Sequence, residues 1–253
     1  MKKLLFIAVL ASIVGCKTDV LVPCEETGME GYLCREYRYF NGLPQGFVEF
    51  EQEGDSVFSS LIFDQNLNWV KTTKEHYISG QLSVVSEQFP DKDTRVRTYH
   101  YNELDSLALI VYGPNDSSLE IEYAEGKRLR ETLVKDGLVT HYSEFRYFQD
   151  DGLLYRISMY DGNDSLLNYR NFDYFSSNES SYYRVTFYSS TFEFLGRTRY
   201  SFSQYGLISS MEHRLANGEL TNSRDYIYNA TGKLTEEHRM LAGNILKSVY
   251  LYY

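Results

Sequence analysis

Pairs of large apolar residues, mostly aromatic and separated by one residue, recur along this chain at a nearly constant interval. That recurrence restricts the fold more than any other feature. Tyr99 with Tyr101, Ile121 with Tyr123, Phe145 with Tyr147, Phe172 with Tyr174, Tyr200 with Phe202, Tyr226 with Tyr228 and Tyr250 with Tyr252 begin 22 to 28 residues apart. Tyr37 with Tyr39 reads as an earlier copy, and Ile62 to Asp64 as a degenerate unit within the longer gap that follows. A fixed period of this size marks a stack of like units, each too small to fold alone.

Each unit reads as two strands and two turns. Tyr155, Ile157 and Met159 alternate with Arg156, Ser158 and Tyr160, the pattern of a strand whose two faces differ. A glycine and then an aliphatic residue follow the pair, as in Gly152 with Leu153 or Gly206 with Leu207. A second turn comes about ten residues later, as at Asp161 to Asn163 or Asn217 with Gly218. Outside the leader no apolar stripe keeps a 3.6-residue period beyond two turns. The expected fold is all-β: roughly 16 strands in an antiparallel sheet of tandem hairpins. Accumulated twist makes a curled or spiral sheet the first expectation and a flat single layer the alternative.

Residues Tyr226 to Leu234, followed by Tyr250 to Tyr252, resemble the RHS or YD repeat, Y-x-Y-x-x-x-G-x-L. The resemblance covers most of residues 99–253 and is closest in the last two units. It implies a spiralling β-sheet. Two departures stand out: Leu104 and Asp105 occupy the place of the glycine after Tyr101, and 172–188 holds no glycine. With so few units, the closed cargo shells of some family members are not implied.

Lys2 and Lys3 precede an apolar run from Leu4 to Val14, the layout of a secretory signal. Ile13, Val14, Gly15 and Cys16 resemble a bacterial lipobox, which implies acylation of Cys16 and a lipoprotein of the cell envelope. Lys17 in place of an aspartate points to the outer membrane. The expected organisation is a signal peptide over 1–15, a lipidated tether over 16–36 and a repeat domain over 37–253. Cys24 and Cys34 would pair in an oxidising compartment, and two free thiols are the other reading. Asp55-Ser56-Val57, Asp105-Ser106-Leu107 and Asp164-Ser165-Leu166 resemble the O-glycosylation acceptors of Bacteroidota.

The whole chain carries a net charge of −10 and its mature form −12, a balance that argues against nucleic acid as a partner. His213 and His238 each stand between a glutamate and an arginine in neighbouring units. Repetition of a polar strand position explains them without a metal. Asp55, Asp105, Asp116, Asp150, Asp151, Asp161 and Asp164 sit in turn-like sequence, where aspartate caps backbone amides. No catalytic motif is present, no residue is assigned to catalysis, and no cofactor or metal is expected. The 24 tyrosines and 15 phenylalanines suit a thin sheet, or a groove that holds a glycan or peptide. For that groove, the outward-facing members of the pairs, such as Tyr99, Tyr200 and Tyr226, are the candidates. The leading functional reading is a binding or scaffold module of the envelope. An immunity protein that neutralises a toxin comes second and a hydrolase third.

Overall fold

The computed structural model describes residues 33–54, 56–113, 117–176 and 181–252. The leader, Cys16, the tether up to residue 32, Cys24, Asp55 and Asp116 lie outside the described residues. The first half of the chain forms β1 (Leu33–Phe40), β2 (Leu43–Glu53), β3 (Val57–Asp64), β4 (Trp69–Ile78), β5 (Gln81–Phe89), β6 (Lys92–Tyr101), β7 (Leu107–Gly113), β8 (Ser117–Ala124) and β9 (Lys127–Lys135). The second half forms β10 (Leu138–Tyr147), β11 (Leu154–Asp161), β12 (Leu166–Ser176), β13 (Ser181–Ser189), β14 (Phe194–Phe202), β15 (Ile208–Leu215), β16 (Leu220–Tyr228), β17 (Leu234–Leu241) and β18 (Asn244–Tyr252).

Each strand pairs antiparallel with the next, and β1 also pairs with β18. At this seam Arg35 stands opposite Leu251, Tyr37 opposite Val249 and Tyr39 opposite Lys247. The sheet is therefore an 18-stranded up-and-down barrel. Both open forms expected from the sequence, curled or spiral and flat, are overturned by that pairing. Closure gives every strand two partners and leaves no edge to recruit another chain.

Bulges supply the bend. Arg146 opposes Arg156 while Tyr147 opposes Leu154, so Tyr155 is an extra residue just after a turn. The same step leaves Val70, Ser83, Leu129, Leu195, Ser209 and Thr235 unmatched at the starts of their strands. Bulges at most strand starts add twist and curvature, which turns a stack of hairpins into a wall, while β3, β8, β13 and β18 begin without one.

The turns explain why the units tolerate degenerate text. Asn41-Gly42, Ser79-Gly80, Glu125-Gly126, Asp136-Gly137 and Ala242-Gly243 take paired positive φ values, the tight hairpin expected of such dipeptides. A second, longer turn uses a side-chain cap. Asn102 Oδ1 accepts from the amides of Leu104 and Ser106, each at 3.0 Å, and Asp105 adopts φ 57° where a glycine was missed. Asp64 and Asp161 cap their turns in the same way, with Leu67 and Asp164 at positive φ.

Even-numbered strands end on the repeated pair, so a unit is an odd strand plus the following even one. By register the first two copies are Phe50 with Gln52 on β2 and Glu75 with Tyr77 on β4. Tyr37 and Tyr39 are not copies: they lie on β1, on the opposite face of the wall. Ile62 to Asp64 lies on β3 and is not one either. Leu33 opposes Tyr252, so the barrel chain begins and ends at one rim.

Candidate functional site

Residues directly opposite in neighbouring strands share a face, which allows the two faces to be followed round the barrel. One face carries Tyr174, Tyr183, Tyr200, Met211, Arg224, Arg239, Leu246 and Phe40 in successive register. Side chains on this face converge. Strand β14 lies between Phe187 and His213, yet their rings approach to 5.7 Å between centroids, where two strand spacings amount to about 9.6 Å. Burial, then Tyr200, Tyr174 and, from three strands away, Tyr226 hold the Tyr183 phenol above its usual range. Convergence identifies the concave, inner face. Both members of each aromatic pair lie on it, so Tyr99, Tyr200 and Tyr226 face inward rather than outward.

The second member of the pair fastens its unit. The hydroxyls of Tyr101, Tyr147, Tyr174, Tyr228 and Tyr252 donate to the carbonyls of Leu82, Arg128, Leu154, Ile208 and Leu234 at 2.7 to 3.0 Å. Each acceptor sits at the start of the preceding strand, beside the bulge, and each such bond contributes about 1 kcal/mol. The first member, at positions such as Tyr99, Tyr200 and Tyr226, is left to line the interior, and Tyr183 of β13 joins it there.

The outer face is built differently. Tyr142 stacks on Tyr160, Tyr169 on Tyr188 and Phe175 on Tyr182, with centroids 4.6 to 4.9 Å apart. Arg130, Arg156 and Arg199 lie over Tyr142, Tyr169 and Tyr182 at 3.8, 4.7 and 4.0 Å. Arg184, Arg197, Arg199 and Arg214 form a basic patch around a shallow hollow of about 300 Å³. Mid-strand charge also occurs at Lys74, Glu120, Glu144, Asp173, Glu212, Asp225 and Lys247. A bilayer-spanning wall needs an outward apolar band, and each Lys or Arg at its midplane costs about 2–4 kcal/mol. This wall is made for water on both sides.

On the inner face, β16, β17, β18 and β1 enclose a cavity of about 470 Å³ whose polar lining includes Glu36, Arg38, Arg224, Glu237, Arg239 and Ser248. Glu36 accepts from Arg38 Nε at 2.9 Å and Ser248 Oγ at 2.8 Å. Glu237 accepts from Arg224 Nη1 and from the Tyr250 hydroxyl, both at 3.2 Å. Burial, and then Glu36 and Glu237, push the Tyr250 phenol far above its usual range. Each carboxylate thus has a guanidinium and a hydroxyl as donors, and the pair holds the arginines in place. Arg224 stands directly opposite Arg239, and the Nε atoms of both are buried without an acceptor.

Other positions singled out in the sequence are dispersed. His213 faces inward and contacts Thr198 at 2.8 Å, whereas His238 faces outward onto Glu236 at 2.7 Å. They share no site, because the matching text sits one residue further along β15, where His213 is five residues after Ile208, than along β17, where His238 is four after Leu234, and one residue inverts the face. No cluster of metal-binding type occurs among the described residues. Asp105, Asp151 and Asp164 lie in turns, Asp161 caps one from the end of β11, and Asp164 also accepts from the Tyr142 hydroxyl at 2.8 Å. Cys34 is disulfide-bonded. The arginine cluster was not anticipated from the sequence. Its only signal is that Arg224, like Arg239, stands two residues from an inward-facing position already recognised or paired, Tyr226 and Glu237.

Ionisation of the tyrosines gives a first test of this wall. Burial raises the phenols of Tyr99, Tyr147, Tyr174, Tyr228 and Tyr252, and a hydrogen bond to Asp164 pushes Tyr142 up to about 12. Phenols raised in the folded chain stabilise it fully below their ordinary pKa near 10, and that contribution is lost as pH climbs through the folded values. Tyrosinate absorbance should therefore rise together with loss of the β circular-dichroism signal between about pH 10 and 12. Gradual ionisation around pH 10 with the β signal intact would contradict the arrangement.

Comparison with known proteins finds no matching family model and no matching curated protein. Solved structures resemble the chain weakly. A porin-like protein from Bacteroides uniformis aligns over 87% of this chain and 96% of its own, with 13% identity and a TM-score of 0.47. A porin-like protein from Bacteroides vulgatus aligns over 88% and 98%, with 9% identity and a TM-score of 0.29. The TcdB2-TccC3-Cdc42 complex aligns over 77% of this chain and 16% of its own, with 11% identity and a TM-score of 0.32. At these scores function is read from the residues of this barrel alone.

Proposed function

We propose that this protein is a ligand-binding module of the bacterial envelope, anchored through acyl chains on Cys16, that receives its ligand against the inner wall of the barrel. Supporting this reading is the size of the ring. Eighteen strands at about 4.8 Å, tilted by some 40°, make a round barrel ~36 Å across, too wide for wall side chains to fill. Strand contacts among the described residues run only between sheet neighbours. The inner wall presents tyrosines as rigid contact area at low entropic cost, a surface suited to a glycan or peptide. We extend the proposal to a disulfide between Cys24 and Cys34 and to an outer-membrane location.

The test uses full-length protein in detergent on arrays of envelope glycans and peptides. Ligands found there should be lost in Tyr200→Ala or Tyr226→Ala and kept in the outer-face variant Arg197→Gln. Binding that follows Arg197 and ignores both tyrosines would overturn the reading. In cells, Cys16→Ala should move the protein from the membrane fraction to the soluble one, and continued sedimentation with membranes would refute the anchor.

A further inference from the structure

The cavity between β16 and β1 holds an imbalance of charge that the protein itself does not resolve. Arg38, Arg224 and Arg239 face two carboxylates, Glu36 and Glu237, while Lys247, which also borders the cavity, is neutralised by Glu236. Glu36 is engaged by Arg38 and Glu237 by Arg224, which leaves Arg239 without an ion-pair partner among the described residues. Arg239 also stands directly opposite Arg224, and like charges so placed destabilise a sheet. Its Nε and that of Arg224 are enclosed without acceptors, although a buried donor left unpaired is costly. A chain with ten more acidic than basic residues has carboxylates to spare for such a place, yet none is supplied.

We infer that Arg224 and Arg239 form a binding site for a single oxyanion, of which a sugar carboxylate is the fitting class. The inference rests on the reading of the inner wall as the binding surface and specifies what part of it recognises. The geometry of guanidinium groups suits it: a planar fork binds a two-oxygen anion through paired hydrogen bonds. The local excess is one positive charge, which matches a monoanion and leaves a dianion beside Glu36 and Glu237 uncompensated. A cavity of about 470 Å³ is far larger than a bare ion, and Leu246 and Phe40 give it an apolar side against which a ring can lie. A uronic acid combines these features.

The experiment titrates full-length protein in detergent with glucuronate, glucose, sulfate and phosphate by calorimetry. Glucuronate should bind and glucose should not, and phosphate at pH 8 should bind more weakly than glucuronate. Arg239→Gln should weaken glucuronate at least tenfold, Arg239→Lys less, and Arg197→Gln on the outer face not at all. Without ligand, Arg239→Gln should melt at the same temperature as the parent or above it, because a repulsive pair has been removed. Glucuronate binding indifferent to Arg239, equal binding of glucose, tighter binding of phosphate, or a lower melting point for Arg239→Gln would each overturn the inference. Array ligands that need Tyr200 but tolerate Arg239→Gln would sink the anion site and leave the inner-wall reading standing.

Discussion

Gly46→Ala should destabilise the barrel by about 3 kcal/mol or more, lowering its melting temperature by some 10 °C. Gly46 has φ 123°, and a Cβ built there would lie 2.0 Å from the carbonyl oxygen of Phe63 on β3. The obstacle is backbone held in the β2–β3 ladder, so no rotamer change relieves it and the two strands must part. Gly42→Ala is the control. Its φ of 78° borders the left-handed region that alanine can enter at a modest cost, and nothing lies within 4 Å of the added atom. That variant should lose only about 1 kcal/mol. Thermal melts giving equal losses would show that conformation alone, and not the close strand approach, demands glycine at position 46.

Deleting residues 244–253 should produce oligomers, whereas deleting 229–253 should leave a larger monomeric fraction. Both cuts remove β18 and break the seam with β1. They differ in parity. Without β18 the exposed edges belong to β1 and β17, which run in the same direction, so an antiparallel ladder cannot re-form between them. Without β17 as well, β16 runs opposite to β1, and a narrower ring of sixteen strands has the correct sense to close. Open edges recruit other chains. Size-exclusion chromatography with light scattering decides the matter, and identical behaviour of the two truncations would contradict a wall assembled from interchangeable hairpins.

Much of the local structure was legible in the sequence and the closure was not. Alternation at Tyr155 to Tyr160 announced a strand with two unlike faces, and Asn-Gly and Asp-Gly pairs announced turns, although those at Asp161-Gly162 and Asn217-Gly218 are longer than the two-residue hairpin expected. Those signals are local. The seam joins Arg35 to Leu251, and no short-range pattern distinguishes a sheet that meets itself from one that coils past its own end. The phase of the first units was misread for a related reason. Tyr37 and Tyr39 look like a repeat, but the face a residue occupies depends on strand direction and on bulges, and a shift of one residue inverts it. The true early copies, Phe50 with Gln52 and Glu75 with Tyr77, each lack one large apolar member.

The candidate site was hidden more completely. Arg38, Arg224 and Arg239 are brought together by the pairing of β1, β18, β17 and β16, and the first is about two hundred residues from the others. Net charge pointed the other way. An acidic composition argued against cationic surfaces, yet two arginine clusters form, one on each face, because side chains gather by register rather than by sum. Composition bounds the average field of a protein and leaves its local sign open.

Leu33 and Tyr252 meet at one rim, and that pairing has an orientational consequence. With Cys16 in a membrane, the tether would draw this end of the cylinder toward the lipid. The turns at Asn41-Gly42 and Ala242-Gly243 would then form the distal mouth. Phe40 and Gln45, next to the first of those turns, belong to the wall of the arginine cavity. A molecule arriving from the side away from the membrane would therefore meet Arg239 near the entrance, before reaching the tyrosines that crowd the membrane-proximal end.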